Sequence, residues 1–318
     1  MAAKKKRAPR RVAAGPKSAL IEIPGTSTSM QARVGTFEDV PKARPFVFPP
    51  EQVEEIAIGV NLGLNICLTG PTGCGKTALP TALAAQLNTP MVRFNMDGET
   101  RVSHLRGMQR PVAEDGVLTL RFSVGAMVHA MQRAYWVLCD EIDAALPSVL
   151  MVLQPTLEEG NRSMYIPETG ERIVAEPGFQ LFATGNTIGY RAMSRARHAG
   201  TNPLNDAFID RFGMVIACDY PGQEEEAQRI SVNCPHVNKL YIQGIARCAH
   251  EMRKDENFRA DFSTRRCVQW ARLTQEFHGD PKGVLRAAEL AVIRKLTSPT
   301  DAKVCREVIQ RVLGYGKG

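Results

Sequence analysis

The chain has 318 residues, of which 44% are apolar and 23% charged, with a formal net charge of +7. These values fit a soluble globular protein of about two domains and exclude collagenous, disulfide-scaffold and wholly disordered classes. Ten basic residues (Lys4, Lys5, Lys6, Arg7, Arg10, Arg11, Lys17, Arg33, Lys42, Arg44) against three acids (Glu22, Glu38, Asp39) in residues 1–44 carry the whole excess, so the rest is neutral.

The eight cysteines stand singly, with no C-x-x-C pair and no Cys/His group at zinc spacing, which predicts reduced, buried thiols in a cytoplasmic protein. No run reaches the ~18 apolar residues of a membrane span, and the basic start has no apolar stretch behind it to make a signal peptide. A soluble, non-secreted protein without a membrane partner is expected.

In chain order, residues 1–44 mix Lys/Arg with Pro, Gly, Ser and Thr around one apolar patch, Leu20-Ile21-Glu22-Ile23. They read as a disordered arm, serving either nucleic acid electrostatically or solubility. Residues 51–62 are patterned as an amphipathic helix, and residues 65–69 as a core strand. That strand runs into Gly70-Pro71-Thr72-Gly73-Cys74-Gly75-Lys76-Thr77, a G-x-x-x-x-G-K-T pattern that opens an alanine- and leucine-rich helix over about 75–87, with residues 70–78, Ala78 included, as the expected nucleotide-binding stretch. Glycines let the backbone N–H groups wrap phosphate oxygens, Lys76 reaches the β- and γ-phosphates, and the Thr77 hydroxyl is placed for Mg²⁺. Cys74 lies inside this loop, either as a small filler or as an oxidation switch. Residues 90–95 form the next strand of a parallel crossover unit.

Tyr135-Trp136-Val137-Leu138-Cys139 is an apolar strand that ends in Asp140-Glu141. In a nucleotide-hydrolysing fold the strand beside the loop's own strand is expected to deliver such a pair, Asp140 to the Mg²⁺ shell and Glu141 as general base. The strand over 179–184 ends at Gly185-Asn186, where an amide can orient water and report the γ-phosphate. Asp210-Arg211-Phe212 ends a short amphipathic helix, and Arg211 reads either as a charge donated to a neighbouring subunit's nucleotide or as a surface salt bridge. Beyond residue 222 the texture is wholly helical, and Ser263-Thr264-Arg265-Arg266 opens one helix from which an arginine can lean over the nucleotide.

Assembled, these residues resemble the AAA+ ATPases, and within them the MoxR group that includes the cobaltochelatase ATPase subunit and CbbQ-type activases. Residues 70–77 are similar to Walker A, Leu138-Cys139-Asp140-Glu141 to Walker B, Ala183-Thr184-Gly185-Asn186 to sensor 1, Asp210-Arg211-Phe212 to the arginine-finger box, and Ser263-Thr264-Arg265 to sensor 2. Residues 103–122 resemble the hairpin insert of helix 2, and residues 162–170 the pre-sensor 1 hairpin. Two departures stand out. Arg266 follows Arg265, leaving the sensor open between them, and Arg191, Arg195 and Arg197 lie where one could assist or replace Arg211.

The resemblance implies an α/β P-loop core on a five-stranded parallel sheet over residues 45–222, and a small helical lid over 223–318. It further implies ATP and Mg²⁺ as cofactors, a homo-oligomeric, hexameric ring, and a chaperone-like remodelling ATPase. The client implied is a von Willebrand A-domain or chelatase-like protein, with metal insertion into a cobaltochelatase-type complex as the most specific version. Two alternatives stand beside it: a nucleic-acid motor or loader using residues 1–44, and a scaffold that binds ATP without turnover, against which Glu141 argues.

Overall fold

The computed structural model describes residues 17–114, 117–186, 204–277, 280 and 282–314. It opens with an antiparallel hairpin, β1 (Ser18–Glu22) and β2 (Ser29–Arg33). Helix α1 (Pro50–Leu62) starts on a proline in its first turn and stops at Gly63, which takes the left-handed conformation at φ 69°. Then follow β3 (Ile66–Thr69), α2 (Ala78–Gln86) and β4 (Met91–Asn95). A short α3 (Val102–Arg106) leads into a second hairpin, β5 (Gly107–Glu114) and β6 (Val117–Val124). Next come α4 (Ala126–Gln132), β7 (Trp136–Asp140), α5 (Pro147–Leu153), a third hairpin of β8 (Ser163–Ile166) with β9 (Glu171–Val174), and β10 (Gln180–Gly185). The chain resumes with α6 (Asp206–Ile209) and β11 (Met214–Ala217). Five helices follow: α7 (Gln223–Asn233), α8 (Lys239–Lys254), α9 (Thr264–Glu276), α10 (Gly283–Ala291) and α11 (Pro299–Leu313).

The central sheet is parallel and five-stranded, in the order β11-β3-β10-β7-β4. Its inner strands β7 and β10 are buried along their whole length, as strands covered on both faces must be. The two-residue period of a strand sorts their side chains. Ile66, Leu68, Trp136, Leu138 and Phe182 point to the face covered by α1 and α2. Cys67, Val137, Cys139, Leu181 and Ala183 point to the face covered by α4 and α5. A third core, centred on Trp270, is built from the helices after residue 222, and the Trp270 indole donates to the Val284 carbonyl at 2.9 Å.

Two expectations are corrected. The strand beside the phosphate loop's own strand is not β7 but β10, because β4 crosses to the far edge and leaves two inner positions, which β10 and β7 fill. The second correction concerns the arm expected over 1–44. Residues 1–16 lie outside the described residues, but 18–33 fold back onto the core. Ile23, Met30 and Ala32 are buried with α1 and α2, and the Asn88 side-chain amide donates to the carbonyls of Arg33 and Gly35 at 3.0 and 2.8 Å. The Gly- and Thr-rich stretch is a turn: Gly25 sits at φ 77°, and the Thr26 hydroxyl donates to the Ile23 carbonyl at 3.0 Å. Ile23→Ala is therefore expected to cost about 2–4 kcal/mol in urea unfolding. A residue on a loose arm would shift it by less than about 0.5 kcal/mol.

Candidate active site

The phosphate loop occupies the C-terminal end of β3, where the parallel strands direct their polar ends. Gly70 is at φ 151°, and a Cβ there would stand 1.9 Å from the Cys218 carbonyl oxygen, so only glycine lets the loop leave the sheet beside β11. Cys74 is buried, and burial pushes its thiol up against the pull of the Lys76 ammonium. Thiolate is thus scarce, which favours the filler reading over an oxidation switch. The seven other cysteines are also buried and free, with Cys139 and Cys218 pushed up to about 12 by burial.

Lys76 is itself 7% exposed, and its ammonium donates to the carbonyls of Gly70 and Pro71, both at 2.8 Å, and to Asn186 Oδ1 at 2.9 Å. The three donors of Lys76 are thus held by acceptors that anionic oxygens can replace. Asn186 is positioned in turn by its backbone N–H, which donates to the buried Asp143 Oδ2 at 2.9 Å.

Asp140 gathers three groups. The Thr77 hydroxyl donates to its Oδ1 at 2.7 Å, the Thr184 hydroxyl donates to the same oxygen at 2.6 Å, and the Arg93 guanidinium pairs with Oδ2. Thr184 also accepts from the Glu141 N–H at 2.9 Å. Glu141 is exposed and takes the left-handed conformation at φ 56° and ψ 47°, uncommon for a residue with a Cβ and characteristic of functional turns. This kink ends β7 one residue after Asp140 and separates the two carboxylates, one buried and one at the surface.

The helical part closes on the loop. A Cβ on Gly73 would meet the Ser263 Cβ at 2.7 Å and the Arg265 Cβ at 3.9 Å. Arg265 therefore begins beside the phosphate loop and is exposed, whereas Arg266 is partly buried, with a buried Nη1 that has no hydrogen-bond partner. Tyr220 and Arg229 latch the other side, the phenol donating to the Thr72 carbonyl at 2.8 Å and the guanidinium to the Cys74 carbonyl at 3.1 Å. Between them a cavity of about 170 Å³ is lined by Phe46, Pro49, Gly75, Leu79 and Tyr220.

Arg211 is not brought to this cluster. The carbonyl of Arg211 accepts from the side-chain amide of Asn65 at 3.1 Å, at the start of β3, and its guanidinium lies 3.7 Å from Glu158. That is the opposite end of the sheet from the loop, five extended residues or roughly 16 Å away along β3. Arg191, Arg195 and Arg197 lie outside the described residues, as does the Asp115-Gly116 tip of the β5–β6 hairpin.

Sequence reasoning gave no role to Arg93, Asp143, Tyr220 and Arg229, and quoted Thr184 only as a neighbour of Asn186. A cation inside the otherwise apolar run Met91-Val92-Arg93-Phe94 was the one visible signal. The others need the strand order or the packing of α7 before their partners are known.

The strand, loop and helix, with a carboxylate pair two strands away, define a P-loop nucleotide-binding ATPase. Residues 65–212 match the AAA domain (dynein-related subfamily), and residues 228–314 match the CbbQ/NirQ/NorQ C-terminal domain. The chain belongs to the MoxR-type AAA+ ATPases. It is 30% identical over 214 residues to aerobic cobaltochelatase subunit CobS of Sinorhizobium sp, covering 66% of this chain and 64% of that protein. An uncharacterised protein of Staphylococcus saprophyticus is 32% identical over 195 residues, 61% of this chain and 70% of that one. Midasin of Giardia intestinalis is 35% identical over 170 residues, which is 54% of this chain but 3% of midasin. In fold, the chain is similar to a mutant RuvB of Thermotoga maritima, with a TM-score of 0.53 at 15% identity over 87% of this chain and 82% of that one. Among the described residues no helix is long and apolar enough to cross a membrane.

Proposed function

We propose that this chain is the ATP-hydrolysing subunit of a homo-oligomeric, six-membered ring that remodels or activates a partner protein. The observation that carries the reading is the separation of Arg211 from its own phosphate loop. An arginine at the opposite end of the sheet serves a nucleotide only across a subunit boundary, and its Nε is a buried donor with no hydrogen-bond partner.

Within one subunit, residues 70–78 wrap the phosphates, and Lys76 exchanges two loop carbonyls and Asn186 for phosphate oxygens. The cavity beside Gly75 takes the base. Arg265 reaches the nucleotide from the helical lid proposed over 223–318, and Asn186, released by Lys76, orients the attacking water that Glu141 deprotonates. Thr77 and Asp140 place a hydroxyl and a carboxylate 2.7 Å apart, a hard-oxygen pair suited to Mg²⁺ held jointly with phosphates. When bound, that ion neutralises charge developing on the β- and γ-oxygens. Lid movement about Tyr220-Pro221-Gly222 then shifts the β5–β6 and β8–β9 hairpins, of which β6 exposes Val117, Leu118 and Leu120 by 62%, 76% and 71%. Similarity to a cobaltochelatase subunit supports a protein partner, which this reading takes to be a von Willebrand A-domain or chelatase-like client of a cytoplasmic chaperone.

The test is capture from native lysate with Glu141→Gln held in ATP, with and without nuclease. Retention of a von Willebrand A-domain or chelatase-like protein in both samples is the expected result. Loss of all capture with nuclease would transfer the function to a nucleic-acid motor working through residues 1–44. That arm has fewer free cations than its composition suggests, because Arg33 is bound to the Ala134 and Gly178 carbonyls.

A further inference from the structure

A second cavity, of about 260 Å³, lies away from the phosphate loop, where the bases of the β5–β6 and β8–β9 hairpins meet the end of α5. It is lined by Arg106, Val152, Pro155, Ser163, Tyr165 and Arg172, so its charged groups are both guanidinium ions and none is acidic. Arg172 Nε donates to the Ser163 hydroxyl at 3.0 Å, and Ser163 is 1% exposed, which fixes that guanidinium on the cavity wall. Arg106 is different. Its Nε is buried without any hydrogen-bond partner, and among the described residues its side chain makes no ion pair.

Arg106 sits on a fixed backbone. It ends α3, beside the fully buried Leu105, and the next residue, Gly107, is at φ 115°, where a Cβ would stand 2.3 Å from the Ser123 carbonyl oxygen. The backbone is therefore pinned where the hairpin begins. Arg106 is half-buried and Arg172 exposed, so water reaches both guanidinium groups, and two such cations lining one groove with no acid among its walls favour an anionic ligand.

The other walls narrow the ligand. Val152 and Pro155 offer apolar surface next to the cations, which suits a few methylene groups carrying a carboxylate better than a bare phosphate. We propose that this cavity is a carboxylate site, taking a glutamate side chain or a short aliphatic carboxylate of the same chemistry. Because α3 with its hairpin forms one wall and β8–β9 the other, an occupied site clamps the two hairpins together. The assignment does not depend on nucleotide hydrolysis.

The full chain is titrated with fluorescein-labelled, amidated tetraglutamate by anisotropy, with the tetraglutamine peptide as control and glutarate as competitor. The expected result is saturable binding of the glutamate peptide only, weakened about 10- to 100-fold in Arg106→Gln and in Arg172→Gln. Unchanged melting temperature and fluorescent-ATP affinity show that both variants are folded. Displacement by millimolar glutarate identifies a free carboxylate as sufficient. Binding that glutarate cannot displace but both substitutions weaken identifies a protein side chain as the ligand. No binding by either probe, or binding that survives both substitutions, overturns the proposal.

Discussion

Glu141→Gln should lower ATP turnover by about 10²–10⁴-fold, the range by which a positioned general base accelerates proton transfer. At about 1.4 kcal/mol per decade this corresponds to roughly 3–5 kcal/mol of lost transition-state stabilisation. ATP affinity should stay within a few-fold of wild type, because the hydrogen bond that ties Glu141 to the site runs from its backbone N–H to Thr184, and glutamine keeps it. Thermal stability should also hold, since the side chain is exposed. Asp140→Asn is the contrasting case. That carboxylate is 4% exposed and accepts from Thr77 and Thr184 beside Arg93, so asparagine there removes the charge that organises these groups and weakens nucleotide binding as well as turnover, while the half-exposed Arg93 stays solvated. Steady-state hydrolysis alongside equilibrium binding of a fluorescent ATP separates the two. If Glu141→Gln turns over at half the wild-type rate or better, the residue is only a solvated acid at a strand end.

Arg211→Ala should remove about 10³–10⁵-fold of turnover at saturating ATP, the effect of an arginine supplied to a neighbour's transition state. Its partner within the chain, Glu158, is 3.7 Å away and its side chain is 46% exposed, so losing that pair costs at most about 1 kcal/mol. The two effects are therefore well separated. The decisive measurement mixes Arg211→Ala subunits with Lys76→Ala subunits. Neither should hydrolyse ATP alone, but under the proposed ring a mixed assembly would contain interfaces with an intact loop on one side and an intact arginine on the other. Recovery of activity on mixing places Arg211 in trans. Failure to recover, with mixed rings verified by mass, would leave the arginine a structural residue and return attention to Arg191, Arg195 and Arg197.

Much of the site was legible because it is local. Residues 66–78 form strand, turn and helix within a continuous stretch, so glycine spacing, lysine and hydroxyl report their own backbone geometry. The same holds for Asp140-Glu141 at the end of an apolar strand and for the two hairpins, whose turns and alternation lie within about 20 residues. The departures came where partners are far apart along the chain. Composition made residues 18–33 look like an arm, although four apolar residues and a glycine turn were enough for a hairpin once α1 and α2 offered a surface for Ile23. Arg265 and Arg266 are equivalent in sequence, and only the approach of α9 to Gly73 distinguishes them.

By itself, then, the sequence determined the class of chemistry: a phosphate loop, a carboxylate pair and a helical C-terminal part, each set by short-range backbone preferences and by apolar periodicity. Tertiary structure alone decided the strand order, and with it the catalytic surroundings. Placing β10 between β3 and β7 brings Thr184 to Asp140 and Asn186 to Lys76, and placing β4 at the edge brings Arg93 to Asp140. Periodicity states which face of a strand is buried but not which strand lies beside it, because that choice depends on contacts across more than 40 residues of intervening chain.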